Sequence, residues 1–594
     1  MIYSENTTTH KRAMMLIAVA VLCVYMVPMG VFPVRESEAR LSLMANRRTW
    51  DSSGKHENFL HGKSPFMVLH HALYRGMTPG ADGPTAFYAP RDTSSSRGLA
   101  LPALAPRRAL WSVRLLSLLA LALLALPCVW TVKRELSGGA AIVTVGVISG
   151  ALPVMALCHV DTRSVFLAGL INAAWFSWYF LARQRKSWDQ AWAVSGMFLL
   201  IACLEGGSLM LVVFYGPLLF LRRPFRIWQR MLNPVHLVSL GAILIFSIFW
   251  AHFSRVEDVL RLMGGMSVEV SGQQSVSFLV RLVVIPIGVI LMLTPWPAII
   301  WPAYCAAFKP LEKNAVFAHF LRTLVAPLFL VIWFVAGMRG LLVLLMVPAL
   351  AALGALNYEL LVRRHIRRLR QFARGFRRVV MVTGCVTLVF WIAHALGLPR
   401  FAGVRAGVIV WSLGFFILGM GWCALNRFSR NRLPFWGELL AATTGLACLA
   451  QSLILPLGDV VYRDAAADAA ALMMNVPPDA PVYVLPASDI IRPAFNSQRH
   501  VIQIPAAEYL PAGEPVVYVW GNGRAPLLET RKWEKVSDPL PRSRGEKLTC
   551  GVSTEESARL FKFVCGWTPD VSRDNVNQIY RGVIDPESQR LLTP

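Results

Sequence analysis

Residues 109–134 read ALWSVRLLSLLALALLALPCVWTVKR, an almost uncharged run that closes on Lys133-Arg134. A helix rises about 1.5 Å per residue, so a run of this length crosses a hydrocarbon core of about 30 Å. The paired cations mark the side on which it ends. The same unit, an apolar block followed by a basic or an acidic loop, recurs along the chain. Blocks fall at 13–32, 109–131, 139–158, 164–182, 190–204, 206–221, 235–252, 277–302, 319–336, 340–360, 379–398, 405–424 and 436–456, about 13 candidate spans. The fifth and sixth are short and nearly continuous through Glu205-Gly206-Gly207, which predicts a tight turn or a broken helix there.

Charge orients the blocks. If the N-terminal His10-Lys11-Arg12 is cytoplasmic, each even-numbered block should end in a basic loop. All six do: Lys133-Arg134, Arg183 with Arg185 and Lys186, Arg222 to Arg230, Lys309 with Lys313, eight arginines from Arg363 to Arg378, and Arg427 to Arg432. The opposite side receives the long loop after the first block, the turn His159-Val160-Asp161, residues 253–276 and everything after 458. The first block lacks a small-residue cleavage site before Arg35 and reads as a retained helix.

The composition agrees. Of 594 residues, 55% are hydrophobic and 16% charged, against about a quarter charged in globular domains. That excludes an ordinary soluble enzyme. The 59 basic and 34 acidic residues would point to nucleic acid in a soluble chain, but residues 459–594 hold 15 basic and 17 acidic, leaving a net +27 before them. The excess belongs to the membrane loops, so no nucleic-acid partner is expected. Two units follow: a transmembrane region, 1–458, with an external loop at 33–108, and a small extracytoplasmic α/β domain, 459–594. The second is read from a helical Asp464–Asp468 stretch and β-like runs at 481–485, 501–504 and 516–520. Eight of ten cysteines lie in or beside apolar blocks. Cys550 and Cys565 fall in the tail, where an oxidising compartment permits a disulfide. The tail's Trp520, Trp533 and Trp567 read as core aromatics before sugar-stacking ones.

Chemistry gathers on the external side. Arg35-Glu36-Ser37-Glu38-Ala39-Arg40 follows the first block, Asp161 follows the third, and His61-Gly62-Lys63-Ser64-Pro65-Phe66 precedes an amphipathic stretch, 67–74. Carboxylates and cations thus stand at the mouths of different helices on one side. No CxxC pair, HExxH, Walker loop or GxSxG is present.

This order resembles the glycosyltransferase C fold of the protein O-mannosyltransferase and lipid A aminoarabinose transferase type. That family carries an acidic D-E-x-R-Y motif after its first helix, a K-P-P-L motif in the first external loop, an Asp after its third helix, a later Pro-Trp, and a Lys-x-x-x-Tyr-x-x-Pro segment. The matching residues are Glu38-Ala39-Arg40, Lys63-Ser64-Pro65-Phe66, Val113-Arg114-Leu115, Asp161, Pro295-Trp296, and Arg339 with Pro348. The resemblance spans residues 13–456. Its departures are specific: Ser37 stands where the family has its first Asp, so either Glu36 or Glu38 supplies that carboxylate. Leu204-Glu205-Gly206-Gly207-Ser208 replaces Leu-Thr-Lys-Gly-Pro, and Glu269-Val270 replaces Glu-His, so no metal site is read and any cofactor is unknown.

The resemblance implies transfer of a sugar from a polyprenyl phosphate to an extracytoplasmic lipid, glycan or protein, at the bacterial inner membrane. Such a transfer needs a carboxylate as general base and cations on the departing phosphate. Glu36, Glu38 or Asp161 suits the first role, and Lys63, Arg40 and Arg339 suit the second. The rival readings are a transporter or flippase for a lipid-linked saccharide and a non-catalytic envelope assembly factor. A transporter predicts charges near mid-span and repeated halves, and neither is evident in the sequence.

Overall fold

The computed structural model describes residues 65–77, most of 106–253, most of 286–461, and strand segments between 474 and 584. The described helices of ten residues or more are α1 (Pro65–Met77), α2 (Pro106–Glu135), α3 (Gly138–Ser149), α4 (Thr162–Arg183), α5 (Trp188–Gly206), α6 (Leu209–Leu218), α7 (Pro234–Phe253), α8 (Ala315–Val331), α9 (Arg339–Arg364), α10 (Ile366–Ala395), α11 (Ala406–Phe428) and α12 (Phe435–Val461). Among the described residues five helices are long and apolar enough to cross a membrane: α2, α4, α9, α10 and α12.

Helix α9 is the axis of the bundle. It packs against α2, α3, α4, α8 and α10, and residues 341–361 are buried all round. A helix apolar on every side can be placed only where protein surrounds it. The central residues of α4, from Val165 to Phe176, are buried in the same way, and α4 lies along α2 so closely that Gly169 faces the Ala120 carbonyl. At the end of α4 that carries Arg183, Trp178 stands within 5.6 to 6.4 Å of Trp188, Trp192, Phe225 and Phe320, tying α4, α5 and α8 together. Buried amides secure two crossings. Asn357 Nδ2 donates to the Ile299 carbonyl at 2.9 Å, fixing the short turn Pro297–Ile300 on α9. Asn172 Nδ2 donates within its own helix to Ala168, at 2.9 Å, and reaches the Leu345 carbonyl of α9 at 3.4 Å.

The structure departs from the sequence expectation in two places and meets it in a third. The block expected to run unbroken through 139–158 ends as α3 at Ser149, with Gly150 as its cap and Pro153 close behind. As the glycine pair predicts, the near-continuous pair at 190–221 breaks at Gly207, whose φ of 77° and ψ of −176° suit glycine alone. The arginine run read as a loop is helical. Helix α9 carries Arg363 and Arg364 at its end, and α10 contains the other six arginines in its first half. Arginine is a good helix former, and Leu369, Ala373, Phe376 and Val380 recur at helical spacing and are buried.

In the tail, six strands form one sheet: β1 (Val482–Val484), β2 (Val501–Gln503), β3 (Val516–Asn522), β4 (Arg531–Lys535), β5 (Leu540–Pro541) and β6 (Val576–Ile584). The order is β2-β1-β3-β6-β4, with β5 also on β6; β1 is parallel to β2 and β3, and β6 is antiparallel to its neighbours. Tyr483, Leu510, Val517 and Val519 form a small buried cluster against which Trp533 packs. Cys550, Cys565, Trp567 and Asp464–Asp468 lie outside the described residues.

Candidate functional site

Helix α1 begins at Pro65, a residue suited to the first helical position because its missing N–H would be unpaired there. Phe66, Leu69, His70 and Leu73 follow at i, i+3, i+4 and i+7. Phe66 and His70 are buried, and Leu69 and Leu73 pack on the main core. The Phe66 ring meets Phe166 of α4 at 5.5 Å between centroids. The stretch expected to lie amphipathically at the interface is thus a helix with one face on the bundle, in contact with α2 and α5.

The first-turn N–H groups of a helix have no partner inside it and carry partial positive charge. The Phe66 N–H of α1 is taken by a residue 139 positions away: it donates to Glu205 Oε2 at 2.8 Å. The other carboxylate oxygen, Oε1, accepts from Arg163 Nε at 2.5 Å, and Arg163 Nη2 donates to the Glu205 main-chain carbonyl at 2.7 Å. The Glu205 side chain is fully buried, whereas that of Arg163 is 35% exposed. A buried carboxylate is costly unless its oxygens are matched by donors and a counter-charge, and both conditions are met here. Glu205 is the penultimate residue of α5, and the Gly206-Gly207 break beyond it lets the chain turn away beside α4. A Cβ on Gly206 would come within 3.0 Å of Leu167 Cδ2.

This contact joins three elements that the sequence had listed separately. Arg163 lies two residues after Asp161, and Phe66 three residues after Lys63. Glu205 therefore ties the segment that follows Lys63 to the segment that follows Asp161. Sequence reasoning passed over the pairing of Glu205 with Arg163, reading the first as part of a turn and as a departure from a family pattern. The available signal was a lone acid between two apolar blocks, where an unpaired carboxylate would be expensive.

Of the predicted site residues, Glu36, Glu38, Arg40, Lys63 and Asp161 lie outside the described residues, as does His159. Arg339 opens α9, its side chain lying outside the description. Arg114 is buried near the start of α2. Trp296 is buried against Phe376, with ring centroids 5.0 Å apart, and the Pro348 carbonyl inside α9 accepts from Cys128 Sγ at 3.3 Å. Both make packing contacts. Among the described residues no cluster of three or more His, Cys, Asp or Glu could hold a metal.

Compared with solved structures, the chain superposes on the crystal structure of ArnT from Cupriavidus metallidurans bound to undecaprenyl phosphate, with a TM-score of 0.61 at 15% identity, over 96% of this chain and 97% of that one. The chain shares the fold of ArnT. The apo form of ArnT gives a TM-score of 0.59 at 16% identity, with the same coverage. No family model and no curated protein matches the sequence. The glycosyltransferase C fold that the motif order resembled is thus present along nearly the whole length, at an identity too low for the ArnT sequence to assign individual residues.

Proposed function

We propose that the chain is an integral membrane glycosyltransferase that moves a sugar from a polyprenyl-phosphate donor to an extracytoplasmic lipid, glycan or protein. The reading is carried by one observation: the likeness along 96% of the chain to ArnT, a protein crystallised with undecaprenyl phosphate. The proposed topology has about 13 spans, with the N-terminus in the cytoplasm of a bacterial inner membrane and residues 459–594 outside.

The Glu205 contact supports a shared site at the mouths of the first and third spans. Covalent geometry limits three residues to about 11 Å and two to about 7 Å. Lys63 and Asp161 thus have short tethers to the joined Phe66 and Arg163. In the proposed reaction Asp161, with Glu38 or Glu36, accepts the proton of the acceptor hydroxyl as its oxygen attacks the anomeric carbon. The bond from that carbon to the phosphate oxygen breaks, and the polyprenyl phosphate departs with the electron pair. Lys63, Arg40 and Arg339 neutralise the charge that develops on it. Arg163, already engaged by Glu205, positions the Asp161 segment.

The test is incubation of the purified protein with radiolabelled polyprenyl-phosphate sugars. Consumption of at least one donor, with release of polyprenyl phosphate, is expected. No consumption of any donor would leave the carrier and scaffold readings.

A further inference from the structure

Helix α10 carries most of its charge and part of its exposed apolar surface on the same side. At 100° per residue, Arg367, Arg370, Arg374, Arg377 and Arg378 fall within an arc of about 100°. Met381, Leu388 and Ile392 fall within about 40° of Arg374, and all three are close to half exposed. The buried residues Leu369, Ala373, Phe376 and Val380 occupy a separate arc toward the bundle. One continuous outer strip therefore changes from guanidinium to hydrocarbon at residue 379.

The arginines at that boundary are not at the tip of the bundle. The Phe376 ring packs on Trp296, and Trp296 borders Gly150, where an added Cβ would lie 3.6 Å from the indole nitrogen and 2.5 Å from Thr443 Cγ2. Gly150 is twelve residues from the start of α3 and Thr443 eight from the start of α12, about 18 and 12 Å along those helices. Both helices begin at the side marked by Lys133-Arg134 and Arg427 to Arg432. Arg377 and Arg378 thus leave the backbone well inward of the helix ends. Side chains in a helix tilt toward its N-terminus, and the N-terminus of α10 points back to that surface. These guanidinium groups are therefore directed toward that surface. The sequence has no Asp or Glu from 360 to 437, so neither α10 nor α11 supplies a carboxylate.

We propose that this face binds an anionic diacyl phospholipid, its phosphate held by Arg374, Arg377 and Arg378 and its chains lying along Met381, Leu388 and Ile392. A soluble polyanion would satisfy the cations and leave the apolar strip uncovered. A neutral lipid would do the reverse. Only a molecule with an anionic head and paired hydrocarbon tails matches both halves of the strip. The assignment is independent of any transferase activity.

Native mass spectrometry of the full chain in a neutral detergent tests it, with phosphatidylglycerol and phosphatidylcholine of identical chains. Phosphatidylglycerol should be retained preferentially, and increasingly as ionic strength falls. R374Q/R377Q/R378Q should lower that retention on the order of a hundredfold, while K133Q/R134Q, removing charge from the end of α2, leaves it unchanged. R374K/R377K/R378K should retain the lipid, and soluble glycerol phosphate should not displace it. Equal retention of the two lipids by the unaltered protein would overturn the proposal whether or not the triple glutamine variant folds. So would unchanged retention in that variant, equal loss in K133Q/R134Q, or displacement by glycerol phosphate.

Discussion

A carboxylate that receives a donor on each oxygen cannot become an amide without turning one contact repulsive. In Glu205→Gln the NH2 group must face either the Phe66 N–H or Arg163, both of them donors. The expected cost is roughly 1–3 kcal/mol, the penalty for one buried polar group left unpaired. It should appear as a lower thermal midpoint in detergent and as faster tryptic cleavage near Lys63. Turnover of a sugar donor should fall with it, because the helices that follow Lys63 and Asp161 lose their common anchor. An unchanged midpoint and cleavage rate would show that α1 is held by its apolar face alone. Chemistry itself is probed by Asp161→Asn. An amide of the same shape cannot take the acceptor proton, so turnover should drop about 10²–10⁴-fold while the midpoint stays within a degree or two of the parent. Lys63→Ala should weaken donor use by leaving the lipid phosphate without a counter-charge. Near-normal transfer by Asp161→Asn together with both Glu36→Gln and Glu38→Gln would remove catalysis from this site. The sequence proposes the poles of the site, because charged residues at the mouths of apolar helices stand out, and those residues lie outside the described ones. It did not locate the Glu205–Arg163 link. That pairing depends on a contact between residues 42 positions apart, and no local pattern records it.

Helix contacts are decided by what a side chain meets. At Gly169 an added Cβ would lie 2.9 Å from the Ala120 carbonyl oxygen and 3.2 Å from the Leu124 nitrogen, so backbone would have to move and α2 would separate from α4. Gly169→Ala should therefore destabilise by about 1–3 kcal/mol, as overpacking does. Gly414 on α11 has nothing within 4 Å of its Cβ direction, and Gly414→Ala should gain up to about 1 kcal/mol from helix propensity. Thermal unfolding of the two variants in one detergent checks the contrast, and equal shifts would show that α2 and α4 can move apart freely. Element existence was legible wherever an apolar block was long: α4 and α12 lie close to the blocks read at 164–182 and 436–456. The arginine run was misread because charge was taken to mean loop, whereas four apolar residues at helical spacing on its hidden side carry the helix through it. The break at Gly207 was readable as a glycine pair, but not its backbone angles, which no local pattern records.

At the scale of the molecule, the Glu205 contact and a cationic helix end lie at opposite ends of α4. Helix α4 starts beside the Glu205 contact and ends at Arg183, and α2 ends at Lys133-Arg134. If cations mark the cytoplasm, the site faces away from it, and an odd number of spans carries residues 459–594 to the site's side. Fusion of alkaline phosphatase after Pro594 should then be active, and a fluorescent reporter that matures only in the cytoplasm should be dark there. The same reporter fused after Arg134 or Arg378 should be bright. Cysteine chemistry gives an independent reading of the same sidedness. With the tail in an oxidising compartment, Cys550 and Cys565 should resist alkylation in protein isolated without reductant, and intact mass should show both labelled only after reduction. Two readily labelled thiols with an active phosphatase would reject the bridge but keep the topology. A dark phosphatase at Pro594 with a bright reporter would put the tail in the cytoplasm. The odd span count would then fail, and the carboxylates at the mouths of the first and third spans could no longer be placed on the face where the acceptor is proposed to lie.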